Sequence, residues 1–240
     1  MELSKKISGW IKERVDKARK KGIVVGLSGG IDSAVTAVLA KKALGDNVIG
    51  FVLPCGNDAR DEELAFKVAK KFNITMQKVE LDDVYKKFCE ICPGTVHIAR
   101  ANLKPRLRMI TLYYFANALD YLVAGTGNKS ELMIGYFTKY GDGGCDILPL
   151  GGLLKTEVRK LARDLRIPSE IIKRPPTAGL WEGQTDEGEI GVTYKELDNC
   201  LEALEKGKIP KLKNKKLVKI KSMIKNSEHK RDKIPVFKKK

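Results

Sequence analysis

The stretch VVGLSGGIDSAVTAVLA, residues 24–40, decides the fold. Ile23 to Leu27 form an apolar run of the length and make-up of a buried strand. Paired glycines follow, and then a segment with helical periodicity. Strand, tight turn and helix in that order offer backbone N–H groups and a helix dipole to an anion. Gly29 and Gly30 permit the torsions and the close approach that such a nest needs, and Ser28 and Ser33 add hydroxyls. The lysine of the common phosphate loop is missing, and Asp32 stands in that place. A carboxylate repels phosphate, so Asp32 makes chemical sense only with a cation between the two. Magnesium held by one or two carboxylates plus phosphate oxygens is the expected arrangement. The blander alternative is a Ser-Gly-Gly turn followed by an Asp-Ser helix cap. The strand-turn-helix context weighs against it.

On both sides of this unit, apolar runs alternate with helical patterns. Strands are expected at 23–27, 47–54, 74–81 and 121–127. Leu3, Ile7, Trp10, Ile11 and Val15 mark an amphipathic helix over 3–19. Further helices are expected at 33–44, 61–72, 83–89, 99–119 and 156–165. The alternation implies βαβ units: an α/β, Rossmann-like fold with a mainly parallel sheet and helices on both faces. Ligands then bind beyond the carboxyl ends of the strands, after Leu27, Leu53, Leu81 and Ala124. The second half is different. KYGDGGCD (139–146) and RPPTAGLWEGQTDEGEIG (174–191) have little periodicity and read as functional or mobile loops. Helices near 193–205 and 214–225 close the chain. One domain over 1–240 is expected, with flexible loops near 139–146 and 179–190 and a helical segment over 193–240.

The 240 residues suit one large domain, and 42% hydrophobic with 32% charged residues is a soluble globular composition. The first twenty residues mix acids and lysines and show no secretory core. The most apolar tract, Met109 to Gly125, is broken by Asn117 and Asp120 and is shorter than the ~20 residues of a membrane span. An odd set of five cysteines argues for free thiols in a reducing compartment, so a cytoplasmic enzyme is expected. Cys89 and Cys92 form a CxxC, but a zinc site needs four ligands, and two cysteines on a short amphipathic segment is the favoured reading. The net charge of +16 raises nucleic-acid binding. The excess lysine lies at the chain ends, as in KLKNKKLVKIKSMIK (211–225), without interleaved aromatics to stack bases. A solvated helix with Leu212, Leu217, Ile220 and Ile224 on one face accounts for it.

SGGIDS (28–33) matches the signature of the N-type ATP pyrophosphatases, which cleave ATP between the α- and β-phosphates. Further segments narrow this: KPRLRM (104–109), AGTGNKSELMIGYFTKYGDGGCDILPLGGLLKTEVRKLA (124–162), PPTAGLW (175–181), DEGEIG (186–191) and SEHKR (227–231). Together they resemble the ordered motifs of the NAD synthetase family, from the first helix to the C-terminus. The resemblance implies a carbon–nitrogen ligase that adenylates deamido-NAD with ATP and amidates it with ammonia, giving NAD, AMP and pyrophosphate. It also implies an adenine nucleotide α-hydrolase-like fold, Mg2+ as cofactor and a homodimer.

Residue by residue, the resemblance implies that Gly26, Leu27, Ser28, Gly29, Gly30, Ile31, Asp32 and Ser33 hold the ATP phosphates, with Asp32 and Glu131 on magnesium. Thr126, Lys155 and Thr177 match ATP contacts. Lys155 lies near a helix start, where the dipole disfavours a cation, and that local penalty supports a functional role. Arg106, Lys139, Asp146, His229 and Lys230 match positions contacting deamido-NAD. Asp142, with Lys155, is assigned to the chemistry, positioning ammonia or ordering its loop. Tyr136 and Phe137 either face the nicotinate ring or belong to the core. The 179–190 loop matches a lid that excludes water from the acyl-adenylate. Two departures from the family pattern stand out: Pro105 where alanine is common, which bears on the helix start near Arg106, and Gly179 where an acid often stands.

A glutaminase domain would need a few hundred further residues, so ammonia is expected to be used directly or delivered by a separate protein. No membrane or nucleic-acid partner is expected. Two competing readings are a tRNA-thiolating pyrophosphatase, suggested by the CxxC and the charge, and a non-catalytic nucleotide sensor. The first would need cysteines at the ATP site. The second has no need of two metal carboxylates.

Overall fold

The computed structural model describes residues 2–239 except Asn57, Asp58, Pro93, Thr95 and Glu182. Glu182, part of the expected 179–190 lid, therefore lies outside the described residues. Four strands, β1 (Gly22–Gly26), β2 (Val48–Val52), β3 (Thr75–Lys78) and β4 (Tyr121–Ala124), form one parallel sheet in the order β3-β2-β1-β4. The chain winds outward from β1 to β3 and then returns to place β4 on the other side of β1. That reversal opens a crevice between the turns leaving β1 and β4.

The strands read as apolar runs because both faces of the sheet are covered. Ile23, Val25, Val48, Val52, Leu122 and Ala124 belong to one core. Val24, Phe51 and Val123 belong to the other. The first core is covered by α1 (Glu2–Lys17), α2 (Ile31–Leu44), α3 (Ala59–Phe72), α7 (Lys155–Asp164) and α8 (Ser169–Lys173). The opposite face is covered by α4 (Asp82–Ile91) and α5 (His97–Leu119). Helices on both faces are thus observed as expected. Pro105 lies inside α5 without ending it.

Four short helices had no counterpart in the sequence reading: α6 (Lys129–Ile134), α8, α9 (Asp186–Ile190) and α12 (Glu228–Arg231). With α10 (Tyr194–Glu205) and α11 (Asn214–Asn226), α6 and α9 build a third core around Ile190, Tyr194, Leu197, Leu201 and Ile220. The lysine-rich helix packs through the expected face, Ile220 fully buried and Leu212, Leu217 and Ile224 beside it. Residues 145–147 run alongside β4: Gly125 N–H donates to Ile147 O, Asp146 N–H to Val123 O, and the Asp146 carboxylate accepts Val123 N–H. No helix among the described residues is long and apolar enough to cross a membrane.

Candidate active site

A cavity of about 510 Å3 opens at the carboxyl ends of β1 and β4, within the roughly 300–1,000 Å3 usual for ligand sites. Its floor is the turn between β1 and α2. Gly29 has φ +74°, and a Cβ there would lie 2.4 Å from the carbonyl oxygen of Asp61, so only glycine fits. Ser33 Oγ accepts from Ser28 N–H at 3.2 Å and donates to Gly30 O at 3.0 Å, which ties the turn to the helix start. Gly30 caps α2 without a side-chain hydrogen bond, leaving first-turn N–H groups for an incoming anion.

The second wall comes from the turn after β4. Asn128 caps α6 in a reciprocal box: its side chain accepts Glu131 N–H at 3.1 Å, and Glu131 Oε2 accepts Asn128 N–H at 3.2 Å. The Asn128 amide also donates to Asp32 Oδ1 at 2.9 Å. The third wall is the start of α7. Its backbone is pinned by buried groups: Lys155 N–H donates to Ser130 Oγ, while Asp198 accepts from Ser130 Oγ and from Thr156 N–H.

Lys155 is buried, with Nζ 2.5 Å from Asp32 Oδ2, 2.9 Å from Glu131 Oε1 and 4.9 Å from the centre of the Tyr194 ring. Burial alone would lower its pKa, but Asp32 and Glu131 outweigh that and hold the ammonium above its ordinary range. Burial pushes Glu131 up to about 7, with Lys155 opposing the rise and the Asp32 charge adding to it. Tyr194 Oη donates to Asp186 Oδ2 at 2.9 Å and lies 3.3 Å from Glu131 Oε1. Asp186 is buried, and burial raises its carboxyl; its other oxygen has no hydrogen-bond partner among the described residues. One ammonium thus bridges two largely buried carboxylates, Asp32 and Glu131.

Most sequence-derived site residues converge here. Gly26, Leu27, Ser28, Gly30, Ile31, Asp32, Ser33, Thr126, Glu131, Lys155 and Thr177 line the cavity, and Gly29 lies just behind it. Thr126 follows β4, the strand paired with β1, so it stands beside the anion turn. Asp142 and Lys230 line the cavity too. Asp142 opens onto cavity space, accepts Thr138 N–H at 2.8 Å, and is raised by the surrounding protein. Lys230 donates to the carbonyls of Gly135 and Phe137 and lies over the Phe137 ring.

Arg106, Lys139, Asp146 and His229 do not line the cavity. Arg106 donates to Lys139 O, and Lys139 Nζ to His229 O, a chain next to Lys230. Asp146 stands apart at β4, accepting from Tyr113 Oη and Val123 N–H. Asn128, Tyr194 and Asp186 escaped residue-by-residue reading. Asn-x-x-Glu at 128–131 is a capping-box signature that finds the first. No sequence signal joins the other two to Glu131.

Residues 174–181, with Gln184 and Asp186, form one side of the cavity. Arg174 is ion-paired with Asp61, Lys104 Nζ donates to Leu180 O, and Trp181 meets His97 edge to face.

Comparison with known proteins bears on this arrangement. The family model described as NAD synthase matches residues 3–234. The NH(3)-dependent NAD(+) synthetase of Carboxydothermus hydrogenoformans is 51% identical over 205 residues, 83% of this chain and 84% of that protein. Two solved structures superpose closely. NMN synthetase from Francisella tularensis has a TM-score of 0.90 at 38% identity, covering 98% of this chain and 97% of that one. The NH3-dependent NAD synthetase from Campylobacter jejuni, in complex with the nitrate ion, has a TM-score of 0.87 at 29% identity, covering 99% and 98%.

Proposed function

We infer the activity from one premise: the chain belongs to the NAD synthase family. It is an ammonia-dependent NAD synthetase, a ligase that uses ATP to amidate deamido-NAD. The observation that carries this reading is the convergence of Asp32 and Glu131 beside a glycine anion turn at the sheet's switch point.

The donor set fits magnesium. Two carboxylates supply hard oxygens, and among the described residues no group of three or more His, Cys, Asp or Glu stands together, so phosphate oxygens and water would complete the shell. Bound there by Asp32 and Glu131, the ion would neutralise charge on the departing pyrophosphate. The turn from Gly26 to Ser33 holds the phosphates through backbone N–H groups. Lys155, with Thr126 and Thr177, holds the ATP as charge shifts during adenylation. A carboxylate oxygen of deamido-NAD attacks the α-phosphorus, and the bond to the β-phosphate oxygen breaks. Ammonia then attacks the acyl carbon, AMP departs, and a proton is lost from nitrogen. Asp142, which borders the cavity and accepts Thr138 N–H, positions the incoming ammonia or orders its loop.

Lys230 marks the deamido-NAD end, with Arg106, Lys139 and His229 next to it, where basic groups suit a carboxylate and a pyrophosphate; Asp146, apart at β4, would reach this substrate outside the cavity. A homodimer completes it: Ile110 and Tyr114 of α5 are largely exposed, an apolar stripe beside Tyr113 and Asp146 that a second copy would cover. Of the 179–190 stretch expected as a lid, Asp186–Ile190 is instead helix α9 with Ile190 buried in the third core, so the lid is assigned to the part that precedes it. Cys89, Cys92, Cys145 and Cys200 are free thiols, in keeping with a reducing, cytoplasmic setting.

A second reading rests on the likeness to NMN synthetase from Francisella tularensis: the acid amidated would then be the mononucleotide. One assay decides between them. Pyrophosphate release from ATP is followed with deamido-NAD, with the nicotinate mononucleotide, with tRNA, and with no acceptor, each with and without ammonium. Release is expected with deamido-NAD and magnesium, and amide only when ammonium is added. Preference for the mononucleotide would establish the second reading, and release with tRNA alone would overturn both.

A further inference from the structure

We propose that the Lys155 ammonium is a built-in counter-ion that bars free divalent metal from Asp32 and Glu131, so that metal enters only together with nucleotide. The proposal rests on the assignment of these two carboxylates to magnesium, and it follows from which oxygen atoms are already engaged. Each carboxylate has one oxygen tied to Asn128: Asp32 Oδ1 accepts its side-chain amide, and Glu131 Oε2 accepts its backbone N–H. The remaining oxygens, Asp32 Oδ2 and Glu131 Oε1, both contact Lys155 Nζ. A metal ion needs those same two oxygens. An ammonium and a dication cannot share them, because the three side chains are only 3%, 17% and 15% exposed and repulsion between buried cations is far stronger than in water.

The lysine is built to exchange its partners. Its side chain is 3% exposed, while its backbone is held by Ser130 and, through Thr156, by Asp198. The anchor stays fixed, and only rotation about the bonds of the four-carbon stem is needed to move Nζ from one partner to another. An arriving triphosphate supplies the negative charge that draws Nζ off the carboxylates, and it carries the metal that replaces Nζ there. Free metal offers Lys155 no new anion and is refused.

The test uses Mn2+ as the probe, its free signal followed by electron paramagnetic resonance. The intact protein is titrated with and without α,β-methylene-ATP, beside Lys155→Met and Asp32→Asn. Without nucleotide, Lys155→Met is expected to bind one Mn2+ about tenfold or more tightly than the wild type. The analogue should restore one bound Mn2+ per wild-type chain, beyond that held by the analogue alone, and Asp32→Asn should lose it. Wild-type protein that binds free Mn2+ as tightly without nucleotide as with it, in a manner sensitive to Asp32→Asn, overturns the exclusion and leaves the metal assignment standing. That comparison needs no Lys155 variant, so poor folding of Lys155→Met does not shelter the proposal. Absence of Mn2+ binding in every form, nucleotide included, removes the metal assignment and the proposal with it.

Discussion

The side-chain amide of Asn128 donates to Asp32 across 96 residues of sequence, while the Asn128 backbone N–H donates to Glu131. One residue therefore orients both carboxylates of the candidate metal pair. Asn128→Ala removes the helix cap, at a cost of about 1 kcal/mol, and frees Asp32 to rotate. The expected outcome is a modest fall in thermal midpoint with a much larger fall in pyrophosphate release. Equal losses in the two measurements would make Asn128 a cap and nothing more.

Gly29→Ala meets two obstacles at once, a φ of +74° and a contact of 2.4 Å with the Asp61 carbonyl. Strain of this kind costs roughly 1–3 kcal/mol. The anion turn should open, and ATP binding measured by calorimetry should weaken strongly. Gly152→Ala, where a Cβ meets nothing within 4 Å, is the matched control and should bind normally.

Burial raises Glu131 to about 7, above its ordinary 4.5. Between those values the folded chain keeps a proton that the unfolded chain has lost, so this group's contribution to stability falls as pH rises through that window. The full effect is roughly 3 kcal/mol. Wild-type protein should lose about that much relative to Glu131→Gln between pH 4.5 and 7.5, read from denaturant midpoints. Parallel pH profiles for the two proteins would show that Glu131 is ionised throughout.

Thiol reactivity tests the packing. Cys92 is exposed, Cys55 and Cys200 are buried, and burial raises the Cys145 thiol to about 11. At pH 8 iodoacetamide should modify Cys92 first, with Cys145, Cys55 and Cys200 reacting only on unfolding, as peptide mass spectrometry will reveal.

The sheet was legible because its inner strands are buried on both faces and stand out as apolar runs. β3 was expected over 74–81 and spans Thr75–Lys78, an edge strand with mostly exposed side chains and no apolar run to mark its ends. α6 went unseen because six residues are too few for helical periodicity to register. In the site, the strand-turn-helix order revealed Asp32 directly. Lys155 lies 123 residues further on; the family resemblance named it, and its unfavourable place at a helix start was the one local hint of a function. Asp186 and Tyr194 look like ordinary members of a polar loop and a helix. Their significance arises from a long-range meeting with Glu131, which no local pattern encodes.

Residues 145–147 have a consequence beyond catalysis. By engaging the main chain of Val123 and Gly125, and by turning the Asp146 carboxylate onto Val123 N–H, they occupy hydrogen-bonding groups on that border of the sheet. A stray extended peptide in a crowded cell finds a poorer template there. The other border is guarded by charge, with Lys78 gripped by Glu62 and Glu80. Each margin of the central layer thus carries a feature that disfavours addition of a further strand.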